Sequence, residues 1–485
     1  MSLSASDRGR LRHITGWWLL AVLFTGPIVR GHASEDADRE ATAVKRVPAS
    51  TSASTATKAP PATIPAAAPI STSTSASAST STSILVVRRQ EAREHPEDAL
   101  AWIRLGQALM QESRDLGGHA NLEEAEAAFR RAHTLAPRDP EAAVGLSWVN
   151  NTRHEFDEGV RWAQAALALD SRQTDAHALL GDAAVEKGDL ELALDHYQTC
   201  LDLRPDLSSY SRAAHVLHLR GDTLRAQALM SRAIAAGGPY PENSAWCRSQ
   251  LALMCLDTGA LLPAQQHAER ALRDAPENPV VQIALARVRL AQGRELDAIT
   301  LLQRAATLAP GVPVLALLAE AQRQAGRDSD VRETTRQILA LHEQHAAAHR
   351  HARGGTPGSE EPATAHGDAD LARFLADHDL DLDRALEEAE RAHREFPNSR
   401  NLDTLAWCYF KKGRYPEAAR TIRKALRWNT PDATMHFHAG MILSRLGDAP
   451  GAMKALSHAL NLNPNFHALH ARTAAETIAA LRSHP

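Results

Sequence analysis

The chain is poor in cysteine, lysine and aromatic residues, and it lacks the short motifs of the common enzyme sites. Its 485 residues include 4 cysteines, only 7 of its 54 basic residues are lysine, and aromatic residues make up 4%. No Cys-x-x-Cys pair occurs, so neither a zinc ribbon nor a redox dithiol is indicated. The motifs GxxxxGK[ST], GxGxxG, GxSxG and HExxH are also absent. These absences argue against the common enzyme classes and against a bound cofactor.

Charge of one sign is not concentrated anywhere along the chain. The net charge is −4, and acidic and basic residues alternate throughout, so no basic stripe points to nucleic acid. The chain is also too long for one compact core, a limit that does not apply to a repeat array, in which each repeat contacts only its neighbours.

Glycine recurs at a nearly fixed interval. The step from Gly259 to Gly293 has the same length as the step from Gly413 to Gly447. The full series is Gly188, Gly221, Gly259, Gly293, Gly326, Gly413 and Gly447. Several of these glycines are followed by a proline at one fixed distance, which places Pro205 after Gly188 and Pro464 after Gly447. A glycine that ends one helix and a proline that follows the next are typical of a helix–turn–helix repeat.

The residue types at this spacing resemble those of the tetratricopeptide repeat. The first unit supplies Trp102, Leu105, Gly106, Phe129 and Pro137 at the family's positions. Ten units are predicted, and they begin near Ala99, Pro140, Thr174, Leu207, Ala245, Pro279, Val312, His366, Ser399 and Ala433. The stretch His467 to Leu481 is predicted to be a capping helix. The resemblance implies an all-α, right-handed superhelix that serves as a non-catalytic scaffold for a protein or peptide partner.

The segment 1–33 has the layout of a signal peptide. Arg8, Arg10 and Arg12 precede the apolar run Ile14 to Val29, and small residues at 31–33 offer a cleavage site. Three alternatives remain open: a cleaved signal peptide, a retained membrane anchor that contacts the membrane through residues 14–29, or a buried helix. The first two place the repeats outside the cytoplasm, in the periplasm or the extracellular space.

Composition divides the rest of the chain into four segments. Residues 34–83 are predicted to be a disordered linker, because the Ala/Ser/Thr/Pro-rich part from 49 to 83 cannot bury enough apolar surface to fold. Residues 84–353 are predicted to hold about seven repeats. Residues 354–367 are predicted to be a flexible linker, and residues 368–485 to hold about three repeats and the capping helix.

In the family that the chain resembles, the first helix of each unit lines a concave groove. The resemblance assigns nine side chains to this groove: Trp148, Asn151, Asp182, His215, His218, Arg287, Glu320, Trp407 and Phe410. Trp148 and the Trp407–Phe410 pair are large apolar groups at positions expected to be open, and such groups favour binding. The alternative is that they fill gaps between irregular repeats.

Two clusters offer metal-ligand chemistry. His342, His345 and His349 fall on one helical face, which suits a transition metal, although a solvated, histidine-rich helix end explains them equally well. Asp377, Asp379, Asp381 and Glu388 match the ligand spacing of an EF-hand loop, but Leu382 stands where that loop needs glycine. The alternative there is a turn in the eighth unit.

The stretches Arg204 to Tyr210 and Phe437 to Met441 are similar to a subfamily of exported repeat proteins. Some members of that subfamily are encoded beside nickel or cobalt permeases. This resemblance implies a second candidate function, a metal-handling accessory protein that uses the histidine cluster.

Overall fold

The structure is a computed structural model that describes residues 76–115, 121–238, 241–352 and 368–483. These residues form 22 α-helices. Helix α1 (Ala76–Glu94) is followed by ten helix pairs and a final helix, α22 (Ala468–Ser483). Three predictions concern residues outside the described ranges. They are the signal peptide or anchor at 1–33, most of the linker at 34–83, and the linker at 354–367.

Each pair consists of a first helix, here the A helix, and a second, the B helix. The first five repeats are α2 (Ala99–Asp115) and α3 (Leu122–Leu135), α4 (Pro140–Thr152) and α5 (Phe156–Leu169), α6 (Thr174–Glu186) and α7 (Leu190–Leu203), α8 (Leu207–Leu219) and α9 (Thr223–Ala236), and α10 (Pro241–Asp257) and α11 (Leu261–Asp274). The last five are α12 (Pro279–Ala291) and α13 (Glu295–Leu308), α14 (Val312–Gln324) and α15 (Asp328–Ala352), α16 (Ala369–Asp377) and α17 (Leu382–Glu395), α18 (Ser399–Lys411) and α19 (Tyr415–Ala425), and α20 (Ala433–Arg445) and α21 (Ala449–Leu462). The predicted number of repeats, the predicted order and the capping helix are confirmed.

The turn between the A and B helices depends on one left-handed residue. All seven glycines of the periodic series have positive φ, from 67° at Gly293 to 81° at Gly221. In repeats 2 and 8 the same position is taken by His154 and Asp379, with φ of 63° and 51°. These two substitutions explain why the glycine series skips both repeats.

The small residue near the middle of the A helix allows the two helices of a repeat to approach closely. A Cβ atom on Gly181 would lie 2.3 Å from the Tyr197 ring, and one on Gly106 would lie 2.7 Å from the Phe129 ring. Tyr197 and Phe129 are themselves fully buried. The large ring on the B helix therefore occupies the space that glycine leaves on the A helix.

The A helices line the inner side of the array. Each B helix packs on its own A helix, and all but α15 pack closely on the next A helix as well; most A helices of successive repeats also pack together, as α10 does on α12. In the described residues, the backbones of successive B helices lie farther apart, and they are joined by long side chains such as His133 on α3 and Trp162 on α5. Because the A helices lie closer together, the stack curves with the A helices on its concave face. Repeats 7 and 8 follow the same rule, since α14 packs on α16.

The curvature brings distant repeats into contact along what we call the seam. Turns that follow the B helices of repeats 8, 9 and 10 lie against the A–B turns of repeats 3, 4 and 5. Three side chains donate hydrogen bonds across the seam: Asn398 Nδ2 to Glu186 Oε2 at 3.3 Å, Thr430 Oγ1 to the Leu219 carbonyl at 2.6 Å, and Asn463 Nδ2 to the Leu256 carbonyl at 2.8 Å. The bonded residues are 207 to 212 positions apart in sequence.

Glycine is required at the seam for a second reason. A Cβ atom on Gly221 would lie 2.5 Å from the carbonyl oxygen of Asn429, and one on Gly259 would lie 2.9 Å from that of Leu462. At one end of the seam, the Phe396 ring meets the Phe156 ring edge-on, with centroids 5.4 Å apart. The array therefore closes on itself instead of remaining an open arc.

Helix α1 differs from the sequence prediction. It begins at Ala76, inside the segment 34–83 that was predicted to be disordered. Leu85 and Ala92 are 3% and 1% exposed, and they pack with Leu105 and Leu109 of the first A helix. These contacts hold α1 on repeat 1, and its alanine- and serine-rich start continues the same helix. Within the described residues, no helix combines the length and apolarity needed to cross a membrane.

Candidate functional site: the inner face of the A helices

The nine predicted groove residues all lie on A helices, six or three positions before the left-handed residue. We call the set six positions before it the inner row. It comprises Trp148, Asp182, His215, Leu253, Arg287, Glu320, Arg373, Trp407 and Met441. Arg373 was missed from sequence, because repeat 8 has Asp379 in place of glycine. Counting back six residues from any left-handed aspartate or histidine would have found it.

At repeats 2 and 3 the predicted groove residues are buried. Trp148 is 8% exposed, and Asn151 is fully buried and donates a 2.9 Å hydrogen bond to the Leu179 carbonyl of the next A helix. The expectation that Trp148 stands open is therefore wrong. Its ring belongs to the core that joins repeats 1 to 3.

Asp182 is fully buried in an ion pair. It accepts hydrogen bonds from the Tyr197 hydroxyl at 2.7 Å and from Arg212 Nε at 3.0 Å. Arg212, on the next A helix, is only 3% exposed. Because both charges are removed from water, Asp182 holds repeat 3 to repeat 4 and is not accessible to a ligand.

Trp407 is also a packing residue, contrary to the expectation of an open anchor. Its side chain is 4% exposed, and its Nε1–H donates a 2.8 Å hydrogen bond to Asp377 Oδ1 of the preceding A helix. The indole stacks on Phe410 with centroids 4.7 Å apart and on His438 with centroids 4.1 Å apart. Three successive A helices therefore meet around this ring, and Phe410 keeps partial exposure.

Arg373, the inner-row residue of repeat 8, belongs to a buried charge network beside Trp407. It donates to Asp403, which also bonds His438 Nδ1 at 2.9 Å. Burial opposes ionisation of Asp403, but His438 and Arg373 outweigh it and lower the pKa of Asp403 to about 2. Asp403 is 2% exposed and His438 is fully buried, so this carboxylate–imidazole pair is closed to substrate. The nearby thiol of Cys408 is buried, and burial raises its pKa to about 12.

The inner row is accessible in its middle, at repeats 4 to 6. Arg287 is exposed, with 45% of its side-chain surface in solvent, and its Nη2 lies 3.9 Å from Asp257 Oδ1. The other carboxylate oxygen of Asp257, Oδ2, lies within hydrogen-bond distance of His218 Nε2, at 3.1 Å. His215 is half-buried, and burial followed by the nearby His218 lowers the pKa of His215 to about 4. The four side chains form one polar patch on α8, α10 and α12, which we call the central patch.

The next inner-row residue, Glu320, is half-buried and engaged with the capping helix region. Its Oε1 lies 3.2 Å from His467 Nε2, and it also accepts from Gln324. Glu320 extends the polar surface of the central patch toward repeat 7, but its carboxylate already has two partners.

The four aspartate and glutamate residues of the EF-hand-like sequence point to separate partners. Asp377 accepts from Trp407, Asp379 pairs with Lys411 at 2.8 Å, and Asp381 caps α17 by accepting from the Arg384 backbone N–H. Glu388 is 4% exposed and accepts from the Asp368 backbone N–H at 3.0 Å. The sequence is thus the A–B turn of repeat 8, as the alternative interpretation predicted.

The histidine cluster at the end of α15 is only partly described. His342 accepts a 2.8 Å hydrogen bond from Arg384 Nη2 and lies 3.7 Å from Glu388. The side chains of His345 and His349 are outside the described set, so the predicted cluster stays a prediction. Among the side chains that are described, no group of three or more histidine, cysteine, aspartate or glutamate residues is placed to hold a metal ion.

Comparison with known proteins gives one family match. The sequence profile described as Tetratricopeptide repeat matches residues 152–208, 263–313 and 404–465. No curated protein matches the chain.

Among solved structures, the chain is similar to the APC/C hetero-tetramer Cut9–Hcn1, with 16% identity over 79% of this chain and 76% of that one, and a TM-score of 0.41. It is similar to yeast Tom70 at 12% identity over 84% of this chain and 96% of that one, with a TM-score of 0.35. A tetratricopeptide protein of Thermus thermophilus matches at 24% identity over 40% of this chain and all of that one, with a TM-score of 0.35.

The assignment rests on the family match and on the ten helix pairs. The three matched ranges fall on helices α5 to α7, α11 to α13 and α18 to α21, and a left-handed glycine recurs in each of them. The chain therefore carries tetratricopeptide repeats in the three matched ranges, and its ten helix pairs have the fold of this repeat.

Proposed function

We propose that this protein is a non-catalytic scaffold that binds a peptide or protein segment on the inner face of its A helices, outside the cytoplasm. The repeat family supports a role in protein–protein interaction. The finer proposal rests on the exposure of Arg287, whose side chain has 45% of its surface in solvent. The other charged inner-row side chains of repeats 2 to 9 are more buried.

The central patch supplies the contacts that a peptide needs. The Arg287 guanidinium has five N–H donors, and its Nη2 lies 3.9 Å from Asp257 Oδ1, which is longer than a hydrogen bond. It can therefore bind a carboxylate of the partner in two-point geometry. Asp257, already paired with His218, accepts from backbone or side-chain N–H groups of the same segment.

Apolar contacts beside the central patch come from partly buried side chains on the same A helices. Leu253 lies one repeat before Arg287 on the inner row, and Leu290 lies one helical turn after it. An extended segment with an acidic residue flanked by apolar residues fits this mixture of surfaces. We propose such a segment as the partner class.

The location outside the cytoplasm rests on the segment 1–33 alone. Its arginines, apolar run and small residues support export, and the apolar run 14–29 is the one segment proposed to contact the membrane. A reporter that is active only outside the cytoplasm, fused after residue 40, tests this. Signal supports export, and retention of the fusion in the cytoplasm contradicts it.

A pull-down from the cell envelope tests the binding site. The bait is the full chain, compared with Arg287→Ala and with the control Leu296→Ala. Leu296 lies in the same repeat but on the B helix, with 66% exposure. The proposal expects a partner that is lost with Arg287→Ala and kept with Leu296→Ala. Equal recovery with both variants would place the binding surface elsewhere.

A further inference from the structure

Two histidines in repeat 3 form a pair that the groove does not use. His177 lies on α6 and His196 on α7, and their Nδ1 atoms are 3.1 Å apart. The ring centroids are 5.4 Å apart and the rings are tilted by 43°. Both rings are half-buried at the surface of the repeat.

The distance between the two nitrogens suits a chelated metal ion. Zinc–imidazole bonds are about 2.0–2.1 Å long, so two nitrogens at a tetrahedral zinc ion lie about 3.3 Å apart. The observed separation of 3.1 Å is close to this value. Without metal, the same separation allows one ring to donate an N–H···N hydrogen bond to the other.

A second contact sets the tautomer of His177. Its Nε2 lies 3.3 Å from the carbonyl oxygen of Ser171, which can only accept, so the proton of neutral His177 belongs on Nε2. The lone pair of Nδ1 then faces His196. Histidines that bind metal commonly donate their other N–H to a backbone carbonyl in this way.

The backbone on both sides of the pair is fixed. Ala176 and Tyr197, the neighbours of His177 and His196 in sequence, are each fully buried in the core of the array. Neither histidine therefore needs to move its helix to bind an ion, and a site built on two packed helices is preorganised. Burial, followed by the adjacent His177, lowers the pKa of His196.

We propose that His177 and His196 form a two-histidine binding site for a late first-row divalent cation such as Zn²⁺, with the remaining coordination positions taken by water. Imidazole is a preferred ligand of these ions. The site is separate from the central patch, and it has fewer protein ligands than a closed structural zinc site. It is expected to bind metal reversibly and not to be needed for folding.

Repeat 5 offers an internal control. His267 stands eight residues after Gly259, as His196 stands eight after Gly188. The position that corresponds to His177 is occupied by Arg248. Burial lowers the pKa of His267, and the positive charge of Arg248 lowers it further. His267 is thus an equivalent histidine with a cation in place of its ligand partner.

The test is residue-specific modification of the full chain by diethyl pyrocarbonate, measured by mass spectrometry over a Zn²⁺ titration. The proposal predicts that Zn²⁺ protects His177 and His196 with one shared midpoint, while His267 is not protected in that range. In His196→Asn, the midpoint for His177 should rise by about tenfold or more, since loss of even an outer-shell partner costs roughly 10–100-fold in affinity.

The converse variant, His177→Asn, should shift the midpoint for His196 in the same way. Helical circular dichroism of both variants confirms that repeat 3 remains folded. If His177 keeps its wild-type midpoint in His196→Asn, or if His267 is protected together with the pair, the two histidines do not act as a chelate and the proposal is overturned.

Discussion

Replacing Trp407 separates packing from ligand binding more sharply than any other single change on the inner row. The indole is 4% exposed, contacts rings on both sides, and donates its N–H to Asp377. Trp407→Ala leaves a cavity the size of an indole, and such changes cost about 3–5 kcal/mol. The cost is expected to fall on the repeats around the cavity, because each repeat depends chiefly on its neighbours.

Hydrogen exchange followed by mass spectrometry is the suitable assay, since it reports stability locally. A loss of about 4 kcal/mol corresponds to an increase in opening of roughly 10³-fold. Peptides from α16, α18 and α20 should show this increase, while peptides from repeats 1 and 2 should not.

Arg287→Ala is the matched control, because Arg287 occupies the same inner-row position three repeats earlier in the array and is exposed. Surface substitutions of this kind change stability by about 0.5 kcal/mol or less. If Trp407→Ala leaves exchange in α16, α18 and α20 unchanged and weakens partner binding instead, the packing role assigned to Trp407 is refuted.

Buried polar groups give three further predictions. Asp182→Ala should destabilise the protein by about 3–5 kcal/mol in denaturant titrations, because it removes the carboxylate of a buried ion pair and keeps the buried positive charge, and a change below about 1 kcal/mol would contradict the ion pair. Asn463→Ala should speed hydrogen exchange in the A–B turn of repeat 5, on the opposite side of the seam, whereas Asn461→Ala, at an exposed residue, should not. The same exchange rate in both variants would mean that the seam is not closed. Burial lowers the pKa of both His378 and His436 to about 4 from 6.5, so the unfolded chain takes up their protons first as pH falls. The melting temperature should therefore decrease from about pH 6.5 to 4 and less steeply in His436→Asn, and a flat profile would contradict their burial.

Sequence predicted the repeats well because each one is a local pattern. Gly188 and its equivalents mark where each A helix ends, and Gly181 opposite Tyr197 reports how the two helices of one repeat pack. Both signals come from residues within one repeat, and the structure confirms them. Even in the irregular eighth repeat, one of the two sequence interpretations of Asp377 to Glu388, a turn between the helices, is the one that the structure shows.

The seam and the accessibility of the inner row could not be predicted in this way. Asn463 reaches Leu256 only because small rotations between repeats add up over half of the array. Trp407 and Arg287 hold equivalent positions, yet one is buried and the other exposed, since the neighbours that decide burial come from adjacent repeats. The repeat pattern identifies which positions face inward but not which of them remain open.

Photo-crosslinking from position 287 tests the central claim most directly. A photoreactive residue replaces Arg287 in one variant and Leu296, on the outer B helix of the same repeat, in the other. If the protein is a scaffold that binds on its inner face, irradiation in cells should join position 287, and not position 296, to a discrete partner through one defined segment. Crosslinks to that segment from position 296 alone, or from both positions equally, would contradict binding on the inner face.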